Sequence, residues 1–314
     1  MRIQTVPFVS ICSTIHTFIV SIIFQISGSK YFIFSVSRFN MQTSLVWKLL
    51  VLLLVILLIW IYQSSSGSIF SLGINCRLSL AESDNFICES DTLWNERKNL
   101  YQFQDKENMV KRKHRIFFLT NWEPNFHCSH ASRIGNMGDG GKWICDFYRL
   151  KSRTDCLVYS AGSSGAFSFE VELKKAMPHC EIHTFDKDLY SCPDNVCIFH
   201  KIMLGDGMKL KGSKSWNMIV EELNHTRRQI DIFKIDIEGG EYSFFPELFK
   251  SKKTWLPRQI LVEIHPNNMN VMHGLFELLR NNNYVIFSKE PNLRSGSQAF
   301  EYAFIKLNHQ FFRP

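Results

Sequence analysis

From residue 156 onward, short apolar, β-branched runs alternate with segments of helix length, and this limits the chain to a layered α/β fold. Runs at 156–161, 181–186, 196–203, 230–237 and 259–264 read as strands; 168–177, 213–224, 242–251 and 271–282 read as helices between them. Such alternation implies parallel strands with helices on both faces. The end of the chain departs from it. Two further strands, 284–289 and 300–307, are separated only by the turn-rich stretch 291–298, and strands joined so closely pair antiparallel. The expected fold class is therefore α/β: a doubly wound, Rossmann-like sheet with a C-terminal antiparallel hairpin.

Ahead of this region lies an unbroken apolar run, Leu49 to Tyr62, which reaches 18 residues when extended back to Leu45 across Lys48. That is close to the roughly 20 residues needed to cross a bilayer, and Trp47, Trp60 and Tyr62 lie near its ends. Residues 45–62 are expected to form a transmembrane signal-anchor helix. Residues 1–62 carry Arg2, Lys30, Arg38 and Lys48 and no acid, so +4 of the formal net charge of +7 lies there. The positive-inside rule then leaves residues 1–44 cytoplasmic, with a weak second span conceivable over 3–29, and the rest of the chain lumenal or extracellular. A sequon, Asn224-His225-Thr226, and eight cysteines beyond the anchor agree with that side, and the cysteines are expected to pair as disulfides rather than bind zinc. Residues 63–125 read as a polar stem or linker, with a short helix over 94–108 and a basic run at 111–115, and 126–314 as the main domain. The nearly balanced charge of that domain, +3 over residues 63–314, argues against nucleic acid as a partner.

Candidate ligand-binding residues fall at the carboxyl ends of the expected strands. The first strand runs into Gly162-Ser163-Ser164-Gly165, where two glycines permit a sharp turn and close backbone approach. The second ends in Asp186, 24 residues after Gly162, placed as a ribose-binding acid is placed in a βαβ unit. The third leads to Asp206, at the position where an adenine would lie. The fourth ends in Asp236-Ile237-Glu238 and the fifth in Glu263-Ile264-His265. Asp236, Glu238 and His265 are the candidate catalytic residues, with His265 a possible general base near neutral pH. Capping of the next helix accounts equally well for Glu241.

These motifs taken together resemble a known family. Residues 133–307 are similar to the methyltransferase-like protein 24 group, related to FkbM-type methyltransferases. The resemblance is carried by Arg133-Ile134-Gly135, Gly138-Asp139-Gly140-Gly141-Lys142-Trp143-Ile144-Cys145, Val158-Tyr159-Ser160 to Phe169-Glu170, Glu181 to Asp186, and Lys234-Ile235-Asp236-Ile237-Glu238-Gly239. It implies a class I methyltransferase fold with S-adenosyl-L-methionine as cofactor. By that similarity Gly162, Ser164 and Gly165 border the methionine moiety, Asp186 the ribose and Asp236 the active-site edge, with the 138–141 loop closing over the site. No metal is implied. The acceptor is not identified by the resemblance, whether small molecule, glycan or protein; FkbM kinship favours oxygen. Two other readings stay open: a Golgi-type glycosyltransferase using Asp186-Lys187-Asp188 on a metal, and a non-catalytic lumenal binding protein.

Overall fold

The computed structural model describes residues 75–104, 114–137, 139–208, 211–295 and 298–313, and the backbone alone of residues 10–14, 17–26 and 30–35. The chain divides into two units, residues 1–73 and 74–314. In the first, Ser10–Thr14, Thr17–Ile26 and Lys30–Ser35 form a three-stranded antiparallel sheet. The conceivable second span over 3–29 is thus strand where it is described, in keeping with its Ile, Val and Thr content. The anchor expected at 45–62 lies outside the described residues, as do most of the basic run and Gly138. Among the described residues no helix is long and apolar enough to cross a membrane.

The second unit is built on a seven-stranded sheet: β1 (Leu157–Ala161), β2 (Glu181–Asp186), β3 (Ile198–Lys201), β4 (Ile232–Ile235), β5 (Gln259–Ile264), β6 (Tyr284–Pro291) and β7 (Phe300–Lys306). Their spatial order is β6-β7-β5-β4-β1-β2-β3. Strands β1 to β5 pair parallel, while β7 runs antiparallel to both β5 and β6, so the terminal hairpin is as the sequence leads one to expect. The order reverses direction between β1 and β4, where ligand crevices open in doubly wound sheets.

Among the described residues eight helices accompany it: α1 (Arg77–Glu82), α2 (Asp91–Gln104), α3 (His114–Thr120), α4 (Phe147–Ser152), α5 (Ser168–Ala176), α6 (Trp216–Glu222), α7 (Glu241–Leu248) and α8 (Met269–Asn281). Every residue of β1 and β5 is buried, because both faces of the sheet are covered. Alternate side chains therefore enter different cores. Tyr159, Phe233 and Ile260 join α3, α6, α7 and α8 on one face; Val158, Ile232 and Leu261 join α2, α4 and α5 on the other.

The expected stem needs correction. From residue 75 it is part of the folded unit. Trp94 of α2 is fully buried among Phe126 and Phe311, and its indole N–H donates to Glu82 Oε2 at 2.7 Å. Phe117 and Phe118 of α3 are equally buried on the opposite face. The segment is polar on average, yet a few aromatic rings bury enough area to dock it. All eight cysteines of the unit pair, as Cys76–Cys88, Cys128–Cys145, Cys156–Cys180 and Cys192–Cys197. Replacing Trp94 by alanine should cost about 3–5 kcal/mol of stability in chemical denaturation. A loss below about 1 kcal/mol would mean that α2 is an appendage after all.

Candidate active site

The carboxyl edge of the sheet is organised by one backbone contact. Gly162, at φ +79°, approaches β4 so closely that a Cβ there would lie 1.6 Å from the carbonyl oxygen of Asp236. The ends of β1 and β4 are stitched by Asp236 N–H donating to Ala161 O at 2.9 Å, and the end of β1 is tied to β2 by Gly162 N–H donating to Phe185 O at 2.9 Å. The Lys234 ammonium, on β4, donates to Gly162 O at 2.6 Å. Beyond the glycine the chain turns through Ser164 and Gly165, both at positive φ.

Asp186 holds that turn. Its Oδ2 accepts from the N–H groups of Ser163 and Ser164 at 2.8 and 3.0 Å, and its Oδ1 from the N–H of Asp188 at 3.1 Å. Burial alone would raise its pKa, but these backbone donors outweigh it and lower the value. Asp188 points elsewhere, its carboxylate paired with Lys187 in solvent. The two acids of the Asp186-Lys187-Asp188 triplet therefore do not converge on a common ligand. Asp206 follows the third strand, as expected. It caps the turn after the short ribbon of Met203–Leu204 with Ser213–Lys214, accepting from Met208 N–H at 3.0 Å. The loop at 135–141 leans on the start of α5, with Gly135 N–H donating to Glu172 Oε2 at 2.6 Å and Gly140 against Ser168.

Register aligns a row of acids across four neighbouring strands. Ile235 pairs with Val262, so the next residues, Asp236 and Glu263, stand level; Glu263 pairs with Glu301, and Glu301 with Glu290. Counter-charges come from the ribbon of Ser132–Ile134 and Lys142–Ile144. Lys142 meets Glu301 at 2.5 Å with both groups buried, and Arg133 meets Glu290 at 2.9 Å. Burial would lower the Lys142 pKa, but Glu301, Asp236 and Glu263 outweigh it and raise the value. Glu263, buried beside Asp236 and Glu301, is pushed up to about 8 and accepts from Asn292 Nδ2 at 2.8 Å. Lys142, Glu290 and Glu301 were not among the sequence candidates; their signal was a charge set among the apolar residues of a strand.

His265 lies at the same edge, with Nδ1 3.2 Å from Glu241 Oε1 and Nε2 3.3 Å from Glu238 Oε2. Burial would lower its pKa, but the hydrogen bond and charge of Glu241, with Glu263 and Asp236, raise it to about 9. These neighbouring carboxylates favour the imidazolium form. Glu241 Oε1 also accepts from Ile237 N–H at 3.2 Å, so the capping role suits that acid. Glu238 stands at φ +55° with a side chain 81% exposed, at the rim. Asp236 Oδ1, in contrast, is buried and has no hydrogen-bond partner in the protein. Donor atoms of Asp236, Glu241 and His265 lie within 4.8 Å of one another, as do those of Asp139, Glu263 and Glu301. In both groups an internal cation, His265 or Lys142, already faces the carboxylates. The edge thus brings together Gly162, Ser164, Gly165, Asp186, Asp236, Glu238 and His265, with Asp206 on its own turn.

A family described as a methyltransferase domain matches residues 82–306. Among solved structures, human methyltransferase-like protein 13 in complex with SAH is similar at 11% identity and a TM-score of 0.36, over 52% of this chain and 77% of that one. Methanococcus jannaschii fibrillarin, a pre-rRNA processing protein, is similar at 11% identity and 0.35, over 64% and 87%. Aeropyrum pernix fibrillarin with natively bound S-adenosyl-L-methionine is similar at 10% and 0.32, over 57% and 84%. No match was found among curated protein sequences.

Glu263 and His265 both bind their protons more tightly in the folded chain than at their ordinary values of 4.5 and 6.5. Their contribution to stability is therefore fully present at low pH. It is lost as pH rises, through about 8 for Glu263 and about 9 for His265. Glu263→Gln cannot ionise, so its stability relative to the native chain should climb between about pH 5 and about pH 8 in denaturation measurements. An offset independent of pH would show that Glu263 titrates normally.

Proposed function

Because the chain belongs to the methyltransferase-domain family, we propose that its folded unit is an S-adenosyl-L-methionine-dependent methyltransferase acting on an oxygen acceptor. The observation that carries the reading is the pairing of two features at the strand-order reversal. On one side Asp186 clamps the Gly162–Gly165 turn. On the other, Asp236 presents a buried oxygen without a protein partner.

These residues fit the cofactor. The turn has no side chain at Gly162 or Gly165, and Asp186 Oδ1 receives one backbone donor, leaving lone-pair capacity for a ribose hydroxyl. The turn at Asp206 would flank the adenine. When bound, S-adenosyl-L-methionine supplies a methyl group on a sulfonium, an electrophile that needs no activation by the protein. What the protein contributes is placement, and for in-line transfer placement accounts for much of the rate. Asp236 is the residue to orient an acceptor hydroxyl and take its proton. The imidazolium of His265, fixed between Glu238 and Glu241, contributes positive charge at the rim rather than a base.

Within the family, we read the chain as a member of the methyltransferase-like protein 24 group; the motifs at 133–145, 158–170, 181–186 and 234–239 support that reading. We further read it as a type II membrane protein anchored by residues 45–62, with the enzyme unit lumenal or extracellular. Four disulfides and the exposed position of Asn224 in its sequon support that side.

Calorimetry on the disulfide-bonded protein should give micromolar binding of S-adenosyl-L-methionine, weakened at least tenfold by Asp186→Asn. Asp236→Asn should leave donor affinity within a few fold and lower methyl transfer by about 10²–10⁴. Absence of binding by the folded, oxidised protein would overturn the proposal. With labelled donor, a base-stable product would mark a hydroxyl acceptor, a base-labile one a carboxylate, and transfer to nitrogen would refute the oxygen assignment.

A further inference from the structure

A second cluster of ionisable side chains lies at the other end of β2. Glu181 and His183 stand at its start, five and three residues before Asp186, so about 16 and about 10 Å along the strand from the carboxyl edge. His225, in the turn after α6, meets them. His183 Nε2 is 2.7 Å and His225 Nε2 3.4 Å from the same oxygen, Glu181 Oε1. Both histidines are buried, while the Glu181 side chain is 37% exposed and opens the cluster to solvent.

We propose that Glu181, His183 and His225 form a binding site for a divalent transition metal of the zinc class. Two imidazole nitrogens and a carboxylate oxygen are a set that zinc takes, with water completing a tetrahedron. Donors about 2.0–2.1 Å from a tetrahedral ion stand about 3.3–3.4 Å apart, and the observed 2.7 and 3.4 Å bracket that spacing. The far nitrogens are also provided for. His183 Nδ1 is 2.8 Å from His200 Nε2, and His225 Nδ1 is 2.7 Å from the Tyr159 hydroxyl. Metal ligation moves the imidazole protons to Nδ1, and each Nδ1–H then finds an acceptor in place, the outer shell that metal-bound histidines ordinarily have.

Without metal the same atoms form a closed polar network, in which His183 Nε2 is hydrogen-bonded to Glu181 Oε1 and Arg228 adds its guanidinium. Arg228 Nη1 lies 2.6 Å from Glu181 Oε2 and 3.4 Å from His225 Nε2, at the mouth of the site. It is the competing cation. A side chain one-third exposed can swing to solvent when an ion enters.

The full chain, stripped with chelator, is titrated with Co²⁺ alone and then with Zn²⁺. One equivalent of Co²⁺ should give the visible absorption of a tetrahedral site, and Zn²⁺ should displace it. Glu181→Gln, which keeps a hydrogen-bonding side chain, and His183→Asn should each weaken binding at least tenfold, with circular dichroism confirming that they fold. Arg228→Gln should tighten it several-fold. No tetrahedral cobalt signal in the native chain overturns the proposal, even where Arg228→Gln binds. Binding unchanged in Glu181→Gln overturns it as well, since the ion would then sit elsewhere.

Discussion

The backbone contact between Gly162 and the Asp236 carbonyl is the constraint on which the candidate site depends. With a methylene at residue 162, β1 and β4 could not end side by side, because the added carbon would overlap a backbone oxygen that cannot move without its strand. Their abutment brings a loop clamped by Asp186 and an acid with an unsatisfied oxygen to the same crevice. The Lys234 ammonium on Gly162 O fastens the contact from within the sheet. Catalytic placement here follows from a main-chain fit, with the side chains added to a geometry already fixed.

The row of acids beyond that contact shows how a sheet edge tolerates so much like charge. Asp236, Glu263, Glu301 and Glu290 are level across four strands, and like charges on adjacent strands are unfavourable. Three physical responses relieve the repulsion. Glu263 holds its proton to higher pH, Lys142 is buried against Glu301, and Arg133 answers Glu290. The last two come from one ribbon, so the segment at 132–144 is as much a part of the site as the strands it covers. A buried pair such as Lys142 with Glu301 contributes little net stability, because desolvation offsets attraction. Its effect is to fix where the ribbon lies.

Much of the sheet was legible from the sequence because burial on both faces gives its inner strands short runs rich in apolar residues. The ranges 181–186 and 259–264 coincide with β2 and β5, and Asp186 and Asp236 were conspicuous as the charges that end such runs. The stem was misread for the opposite reason. Trp94 is an isolated ring in polar surroundings and Phe117 and Phe118 fall in a run of only four apolar residues, so no periodicity announces that they fill holes in a distant core. Lys142 and Glu301 are 159 residues apart, and only the fold makes them partners. The surroundings of His265 were not legible either, because Glu241 and Glu263, which raise its pKa, come near it through the register of the sheet and not through spacing alone.

The four disulfides share a property with a consequence for biogenesis. Each joins a cysteine to the next one along the chain, at separations of 12, 17, 24 and 5 residues. Loops this short close at modest entropic cost, and none waits for a distant partner. Each bridge can therefore close within its own stretch of chain as that stretch is made, and none has to wait for the cysteines of a later pair.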